Sequence, residues 1–542
     1  MLDARWLRRS PDWDVSPWAT LAVLCGAVYL INASTTLMNV SLPTLVSALD
    51  ADNVQLLWIV AAFNLTFAAF VLAAGGLSDR FGRQRALLLR LVVFGVAAAA
   101  GAGSADPNRL IAWRAVMGVG AAIIFPTTLS IIANIFPDRL ERAQAIGIWG
   151  ATTGIAIATG PIGGGFLLKY FWWGSTMVAL APVALVVAIL AFRLVPDSRD
   201  PGAPRLDWAG LTLSTALLGT LVFTIIEAPE AGWTSPATLL GFVISAVLLV
   251  AFVLAERSAA EPLLDVSLFR NPRFSATSAS VTLAFFCLFG FIFLITQYFQ
   301  FLQGYFPLET GVRLLPVAFS IAVASLLGTR LAVILGTRAV VAAGLACLSV
   351  AFFWISQSDL ATSYPEIVGQ MLILGIGMGL TSAPATEAIM GVVPKEQAGV
   401  GSAVNDATRE LGGTLGVAVI GSVFASIYQS RITDVPVGSD LSDTVLAQSQ
   451  DSIGAALAAA GQLGADGQPA LAERLTTLAT GGFLDGFAAG CLVAAAVALV
   501  GAGVAGLLLP SQPPAETEPA GAPMPEDATG APTSTPVTSA GE

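Results

Sequence analysis

Apolar runs of about 20 residues follow one another along nearly the whole chain, and most lack the polar stripe of a soluble amphipathic helix. A helix of about 20 apolar residues crosses a bilayer core of roughly 30 Å, and a helix satisfies its own backbone hydrogen bonds in lipid. The pattern therefore predicts an all-α, polytopic membrane protein with fourteen transmembrane helices. We place the spans at residues 17–41, 53–77, 86–104, 108–135, 143–167, 174–194, 208–228, 235–255, 274–302, 309–330, 335–356, 364–391, 398–427 and 481–509.

Charge is scarce, and its distribution predicts the orientation. Charged residues make up 11% of the chain, against about 25% in average soluble domains. With the N-terminus inside, eighteen of the 25 basic residues fall in inner loops, five in outer loops, and two, Arg114 and Arg409, within spans. By the positive-inside rule both termini are then cytoplasmic, and the loop 428–480 is extracytoplasmic. The first span is too long for a signal peptide, so we expect it to stay in the protein.

Composition argues against several classes of site. The chain has no histidine, which removes histidine proton relays and most zinc sites. Its four cysteines lie within predicted spans and form no CxxC pair, so we interpret them as small apolar residues. We expect no metal, no cofactor and no nucleic-acid partner. The end of the chain, 510–542, is rich in Pro, Thr, Ala and Glu and is predicted to be a disordered tail.

A short charged turn, GGLSDRFGRQRAL, separates two apolar runs at residues 75–87. It resembles the loop signature between the second and third helices of the major facilitator superfamily, although Gln84 replaces the usual basic residue. The resemblance implies a conformational latch that holds the two halves of a transporter together in one state. Without the resemblance, the same charges are only a topology signal. The residues of the implied latch are Gly75, Asp79, Arg80, Gly82 and Arg83.

Two further stretches carry the same resemblance. LIAWRAVMGVGAA, residues 110–122, is similar to the family's fourth-helix pattern and places Arg114 inside a span. A charge there is costly and typical of function, although an arginine near a helix end also snorkels to the interface. GIAIATGPIGGGF, residues 154–166, resembles the antiporter signature of the fifth helix, which implies export. The marker residues of this antiporter-motif helix are Gly147, Gly160, Pro161, Gly164 and Gly165, and any one glycine alone would indicate helix packing.

The stretch 377–424 resembles the fourteen-helix drug/proton antiporter branch of the superfamily, of the multidrug efflux type. LDWAG, EAGWTSP and QYFQFLQGYFPLETG carry the same resemblance. It implies two six-helix bundles with two extra helices inserted between them. The implied units are a cytoplasmic N-terminus 1–16, an N-terminal bundle 17–194, a two-helix insert 208–255, a C-terminal bundle 274–509 that includes the loop 428–480, and the tail 510–542.

One departure from the family pattern affects proton coupling. In ASTTLMNVSLP, residues 33–43, Ser34 occupies the position where many members carry an aspartate. Coupling must then use other groups, and Asp406, Arg409 and Glu410 have the spacing that puts three side chains on one helix face. Arg409 neutralises one acid, so the other is suited to carry a proton; the alternative is a static polar network. The candidates for proton coupling are Glu387, Asp406, Arg409, Glu410 and Arg114.

Neutral polar side chains within the spans are candidates to line a substrate cavity. Each one alone is also explained as a hydrogen bond between packed helices. The candidate cavity residues are Asn32, Ser34, Asn39, Asn64, Gln297, Tyr298 and Gln300.

Together these inferences indicate a secondary active exporter of lipophilic or amphipathic small molecules in a bacterial cytoplasmic membrane, driven by the proton gradient and expected to be a monomer. One alternative is an exporter of the same fold with a dedicated substrate, such as a secondary metabolite or a lipid. A membrane receptor or enzyme is a further alternative. The sequence has no nucleotide-binding loop, nucleophile–base pattern or sensory domain to support it.

Cysteine labelling tests the orientation. In a variant without the native cysteines, a cysteine at Gln450 should react with a membrane-impermeant thiol reagent added to intact cells, because 428–480 is predicted to be outside. A cysteine at Ser511 should react only after permeabilisation. Labelling of position 450 from the cytoplasmic side alone would contradict the fourteen-span topology.

Overall fold

The computed structural model describes residues 15–136, 138–197, 207–392, 398–433 and 443–510, and these residues form helices and no β-strand. A short 3₁₀ helix, Val266–Arg270, precedes α10, and a π-helical turn, Tyr298–Leu302, extends it. The α-helices are α1 Pro17–Leu49, α2 Asn53–Phe81, α3 Arg83–Ala102, α4 Pro107–Ile135, α5 Arg139–Tyr170, α6 Ser175–Val178, α7 Leu180–Leu194, α8 Trp208–Ala231, α9 Pro236–Ser258, α10 Pro272–Gln297, α11 Pro307–Arg313, α12 Leu315–Leu335, α13 Thr337–Ile355, α14 Tyr364–Val392, α15 Ala398–Thr433, α16 Asp443–Asp451, α17 Ile453–Ala465 and α18 Pro469–Leu508.

The predicted all-α, polytopic fold is confirmed. Within the described ranges, 13 helical segments are long and apolar enough to cross a membrane, and each corresponds to a predicted span. The remaining predicted span, 143–167, lies on α5, several of whose side chains are outside the described set. The count of fourteen therefore stays a prediction. Helix α18 has 40 residues and begins well before the predicted span at 481, because its first turns pack on α17.

The helices pack in two groups. In the first, α2 and α3 pack against α4, and α1 packs against α5; in the second, α10 packs against α15, and α12 and α13 pack against α14. The hairpin of α8 and α9 lies against α2 of the first group and α15 of the second. The predicted unit boundaries stay a prediction, but this packing puts α2 and α15 face to face across the seam between the groups.

The groups also meet where α5 contacts α11, and there the contact is backbone against backbone. Gly165 lies against the backbone of Leu308, and Gly311 lies against the backbone of Pro161 and Ile162. A methyl group on Gly311 would come within 2.8 Å of the Ile162 nitrogen. Small residues are what allow two helices to approach this closely.

Two other glycines of the antiporter-motif helix face α1. Gly160 lies against Thr36, and a methyl group on Gly164 would come within 2.9 Å of the Leu37 side chain. Helix α5 therefore uses glycine twice, once to pack within its own group and once to close against the other group. Gly147 lies on α5, and its surroundings are outside the described set.

The helices between 443 and 480 form a small unit beside the membrane-spanning part. Ala459, Ala460 and Leu475 make a separate apolar cluster that holds α17 to α18. A methyl group on Gly454, near the start of α17, would lie 2.7 Å from Val46 of α1 and 3.0 Å from Phe301 of the π-helical turn. Helix α17 thus touches both groups on the side where α5 meets α11.

Substitution of Gly311 tests the α5–α11 contact. Gly311→Ala should lower the free energy of unfolding by about 1–3 kcal/mol, because the added methyl group meets backbone that has no rotamer to change. Gly163→Ala is the matched control on α5, where an added methyl group has no neighbour within 4 Å. Equal thermal midpoints for the two purified variants in one detergent would contradict the contact.

Candidate functional site

The acidic side chains that sequence reasoning placed on one face of α15 do lie together. Asp406 is 3% exposed, and Arg409 Nη1 is 3.9 Å from Asp406 Oδ1. That separation exceeds the roughly 2.7–3.2 Å of a direct hydrogen bond, so the pair interacts through charge. The guanidinium of Arg409 also lies 4.6 Å from the centre of the Phe285 ring on α10. Arg409 is thus held by an acid on one side and an aromatic ring on the other.

Two carboxylate oxygens of this α15 cluster, defined as Asp406, Arg409 and Glu410, remain without a partner. Asp406 Oδ2 and Glu410 Oε2 are buried and accept no hydrogen bond from the described residues. One arginine therefore serves two acids, and it cannot balance both when both are ionised. Such an arrangement favours a proton on one of them.

Helix α15, which carries the cluster, lies where the two groups of helices meet. Gly412 and Gly416 bring α15 against the backbone of Thr282 and Phe286 on α10. On another side α15 packs on α2, where a methyl group on Gly421 would overlap Leu57. Gly412 follows Glu410 by two residues, whereas Gly421 follows Glu410 by eleven, so a change of charge in the cluster acts directly on the contact with α10.

Arg114 is buried elsewhere. It is 1% exposed, and its Nε donates a hydrogen bond to Ile59 O on α2 at 3.1 Å. Its guanidinium carbon is 4.4 Å from the centre of the Phe63 ring, while Nη1 and Nη2 have no partner among the described residues. The head group does not snorkel in this conformation. The charged neighbours of Asp406 and Glu410 are Arg409 and each other, so Arg114 is not joined to them.

Glu387 also lies apart from the α15 cluster. It is exposed on α14, and the charged group it acts on is Arg273 at the start of α10. Its neighbour Thr386 donates a hydrogen bond to Asn405 Oδ1 at 3.0 Å, which ties α14 to α15 at this level. The turn between these helices, 393–397, lies outside the described residues.

The predicted cavity residues of α1 bond within their own helix. Asn32 Nδ2, Ser34 Oγ and Asn39 Nδ2 each donate to a carbonyl oxygen one turn earlier, at 2.9 Å. Ser34 is 1% exposed, so it stands where the family's acid would be but offers its hydroxyl to the backbone. Asn64 of α2 is fully buried, and both of its amide atoms are without a partner among the described residues.

The remaining three predicted cavity residues lie at the end of α10 and mainly connect helices. Gln300 Nε2 donates to Val40 O on α1 at 3.0 Å, which links the π-helical turn to the other group. The Tyr298 hydroxyl donates to Asp359 O at 2.6 Å and its ring stacks on Phe487, so it is buried. Gln297 Nε2 donates to its own helix, and its Oε1 has no partner in the described part of the chain.

The turn that resembles the family latch ties α3 to the end of α7. Gly82 has a φ of 101°, which a residue with a side chain rarely adopts. Gln84 Nε2 donates to three carbonyl oxygens at the end of α7, and Arg85 pairs with Asp197 at 3.5 Å. The cap that Gln84 makes on α7 was not predicted from the sequence. The replacement of the family's usual basic residue by Gln84 was the feature that could have indicated it. The side chains of Gly75, Asp79 and Arg80 are outside the described set.

The sequence of this chain matches a family of membrane proteins and several named efflux and resistance proteins. The chain matches the family model described as Major Facilitator Superfamily over residues 22–417. It is 34% identical over 490 residues to the multidrug efflux pump LfrA of Mycolicibacterium smegmatis, covering 90% of this chain and 96% of that protein. It is 32% identical to the methyl viologen resistance protein SmvA of Salmonella typhimurium, covering 82% of this chain and 90% of that protein. It is also 32% identical to the puromycin resistance protein pur8 of Streptomyces alboniger, covering 78% and 84%.

Solved structures share the fold. A bacterial homologue of the human lysosomal transporter Spinster, in an inward-facing and unoccupied conformation, superposes with a TM-score of 0.63 at 15% identity, covering 92% of this chain and 98% of that one. A D-xylose–proton symporter superposes with a TM-score of 0.58 at 13% identity, covering 91% and 98%. At these identities the likeness concerns the fold alone.

Removal of Arg409 tests the electrostatics of the α15 cluster. Arg409→Met should lower the free energy of unfolding by about 3–5 kcal/mol, because it leaves two buried acids without a cation. The control is Arg431→Met on the same helix, whose pair with Asp485 is 59% and 46% exposed and should contribute less than about 1 kcal/mol. Titration with a denaturing detergent in mixed micelles measures both. A cluster without electrostatic strain would give the two variants the same loss.

Proposed function

We propose that this chain, which belongs to the major facilitator superfamily, exports lipophilic or amphipathic small molecules in exchange for protons. The family and the fold make it a multi-pass membrane protein that acts on small molecules. The predicted resemblance to multidrug efflux proteins is confirmed, since the relatives are named as efflux and resistance proteins.

The observation that carries the coupling proposal is the unequal balance of charge on α15. One partly buried arginine faces two acids, and one oxygen of each acid is without a partner in the described chain. A proton on Glu410 leaves the Asp406–Arg409 pair neutral as a unit. When that proton leaves, an unbalanced negative charge remains in a low-dielectric seam, and the packing around α15 must change to solvate it.

The helix contacts indicate how such a change would move the molecule. In this conformation α5 is closed against α11, and Gln300 ties the π-helical turn to α1 on the same side. Both contacts join the two groups, so both must open for this side to face water. Loss of a proton in the α15 cluster changes the packing of a helix that also contacts α2 across the seam, and this change shifts the balance between a state closed on one side and a state closed on the other.

The other predicted elements keep their roles within this proposal. The turn at 75–87 acts as the latch on the cytoplasmic side, with both termini cytoplasmic in a bacterial cell membrane. Glu387, exposed beside Arg273, would meet protons at the inner end, and Arg114 would hold α2 and α4 together. The transporter works as a monomer without a cofactor. A dedicated substrate, the main alternative, is not favoured by relatives named for resistance to chemically different compounds.

Glu410→Gln tests the coupling. In inverted vesicles the variant should lose export driven by a pH gradient, because glutamine cannot release a proton, while binding of a fluorescent cationic or lipophilic substrate should persist. Asp485→Asn is the control, since it removes an acid paired with an arginine in an exposed position. Substrate-induced proton movement in proteoliposomes decides the matter. Wild-type proton movement by the Glu410→Gln variant would refute the assignment.

A further inference from the structure

Two carboxylates that have no part in the transport proposal lie where the two-helix insert begins and ends. Asp207 immediately precedes α8, and its Oδ1 accepts a hydrogen bond from Gly210 N at 2.9 Å. Glu256 lies in the last turn of α9 and is 2% exposed; its Oε2 accepts a hydrogen bond from Leu264 N at 2.9 Å. One oxygen of each carboxylate therefore accepts a hydrogen bond from a backbone amide. The bond to Glu256 connects α9 to the segment that leads into α10.

The other two oxygens face each other. Asp207 Oδ2 and Glu256 Oε1 are buried and have no hydrogen-bond partner among the described residues. Both lie beside the α-carbon of Gly210: a methyl group there would overlap Glu256 Oε1 and come within 2.7 Å of Asp207 Oδ2. The two oxygens are thus within about 5 Å of each other, a separation at which two ionised carboxylates repel strongly. Glycine at 210 leaves the space between them free of a side chain.

Among the described side chains, the surrounding elements supply no compensating cation. Asp207 is the charged side chain that acts on Glu256, and no described basic residue does. Arg257 and Arg270 are exposed, and Glu227 and Glu230 lie at the other end of α8. The described part of α2 up to Val71 contains no charged residue. The described part of α15 contributes its own cluster and Arg431, which pairs with Asp485 of α18. The 3₁₀ helix and its flanks add Glu261 and Asp265, which are also acidic, and Arg273 at the start of α10 faces Glu387.

We propose that Glu256 carries a proton, shared in a hydrogen bond with Asp207 Oδ2, and that this forms a protonation site at the base of the insert, separate from the α15 cluster. A carboxyl–carboxylate hydrogen bond satisfies both orphan oxygens and leaves a single negative charge. A metal ion fits less well, because the described residues contain no group of three acidic, cysteine or histidine side chains able to hold one. The shared proton holds α8, α9 and the Leu264 amide together, and its loss places two charges side by side at that junction.

Hydrogen exchange of the 259–271 segment in the full-length protein tests the proposal. If the native junction binds one more proton than its opened form, protection of the Leu264 amide, corrected for intrinsic exchange, should fall by up to about tenfold per pH unit on the alkaline side. Glu256→Gln should abolish this dependence, because its amide donates to Asp207 Oδ2 at every pH. Asp207→Asn should do the same while keeping the cap on α8, since asparagine caps helices well.

Infrared spectroscopy supplies a second readout that is independent of transport. Wild-type protein should show the carbonyl band of a protonated carboxyl group that Glu256→Gln loses and Glu410→Gln retains. Protection that is equal at acidic and alkaline pH in the wild type would overturn the shared proton, and so would an unchanged band in Glu256→Gln. Restoration of alkaline protection by added sodium, magnesium or calcium would overturn it in favour of a cation site. Failure of proton-driven export would leave all of these readouts unchanged.

Discussion

A charged side chain is stable inside a membrane only where the fold gives it a partner, since neither lipid nor an apolar helix face replaces water. Three places in this chain meet that constraint in different ways. Arg114 rests between a backbone carbonyl and an aromatic ring. On α15, one arginine is shared by two acids. At the base of the insert, two acids lie together without a cation among the described residues. The groups around Arg114 do not titrate, whereas at the other two places we propose that a proton reduces the excess of negative charge.

The charge balance and the helix packing are linked because the unbalanced groups lie on helices that join moving parts. Helix α15 packs on α10 within its group and on α2 across the seam. Helix α8 rests on α2 and α15, and α9 packs on α8 and connects through a short segment to α10. A proton gained or lost at either place therefore changes a contact between parts, not only a local hydrogen bond. This is the property that an antiporter requires, since ion binding must favour one arrangement of its halves.

Local features of the structure were predictable from the sequence, and features that depend on helix rotation were not. The apolar runs predicted the thirteen spanning segments seen among the described residues. The three- and four-residue spacing of Asp406, Arg409 and Glu410 placed them on one helix face. Both predictions use patterns that act within a single helix. Counting residues from a turn gave a depth for Glu387 but could not show that its charged neighbour is Arg273, because that depends on how two helices face each other. The same limit applied to Tyr298 and Gln300, which lie in a π-helical turn whose extra residue changes the direction of every later side chain.

The α5–α11 contact has a consequence for how this protein can evolve. A clash between two side chains can be relieved by a second mutation that makes the partner smaller. Where Gly311 meets Pro161 and Gly165 meets Leu308, the neighbouring atoms belong to the backbone, and no amino-acid substitution removes backbone atoms. A larger residue at either glycine therefore has no compensating partner substitution, and revertants in a resistance selection should restore the original glycine. The closed state of this contact therefore depends on two glycines that we expect to be regained only by reversion.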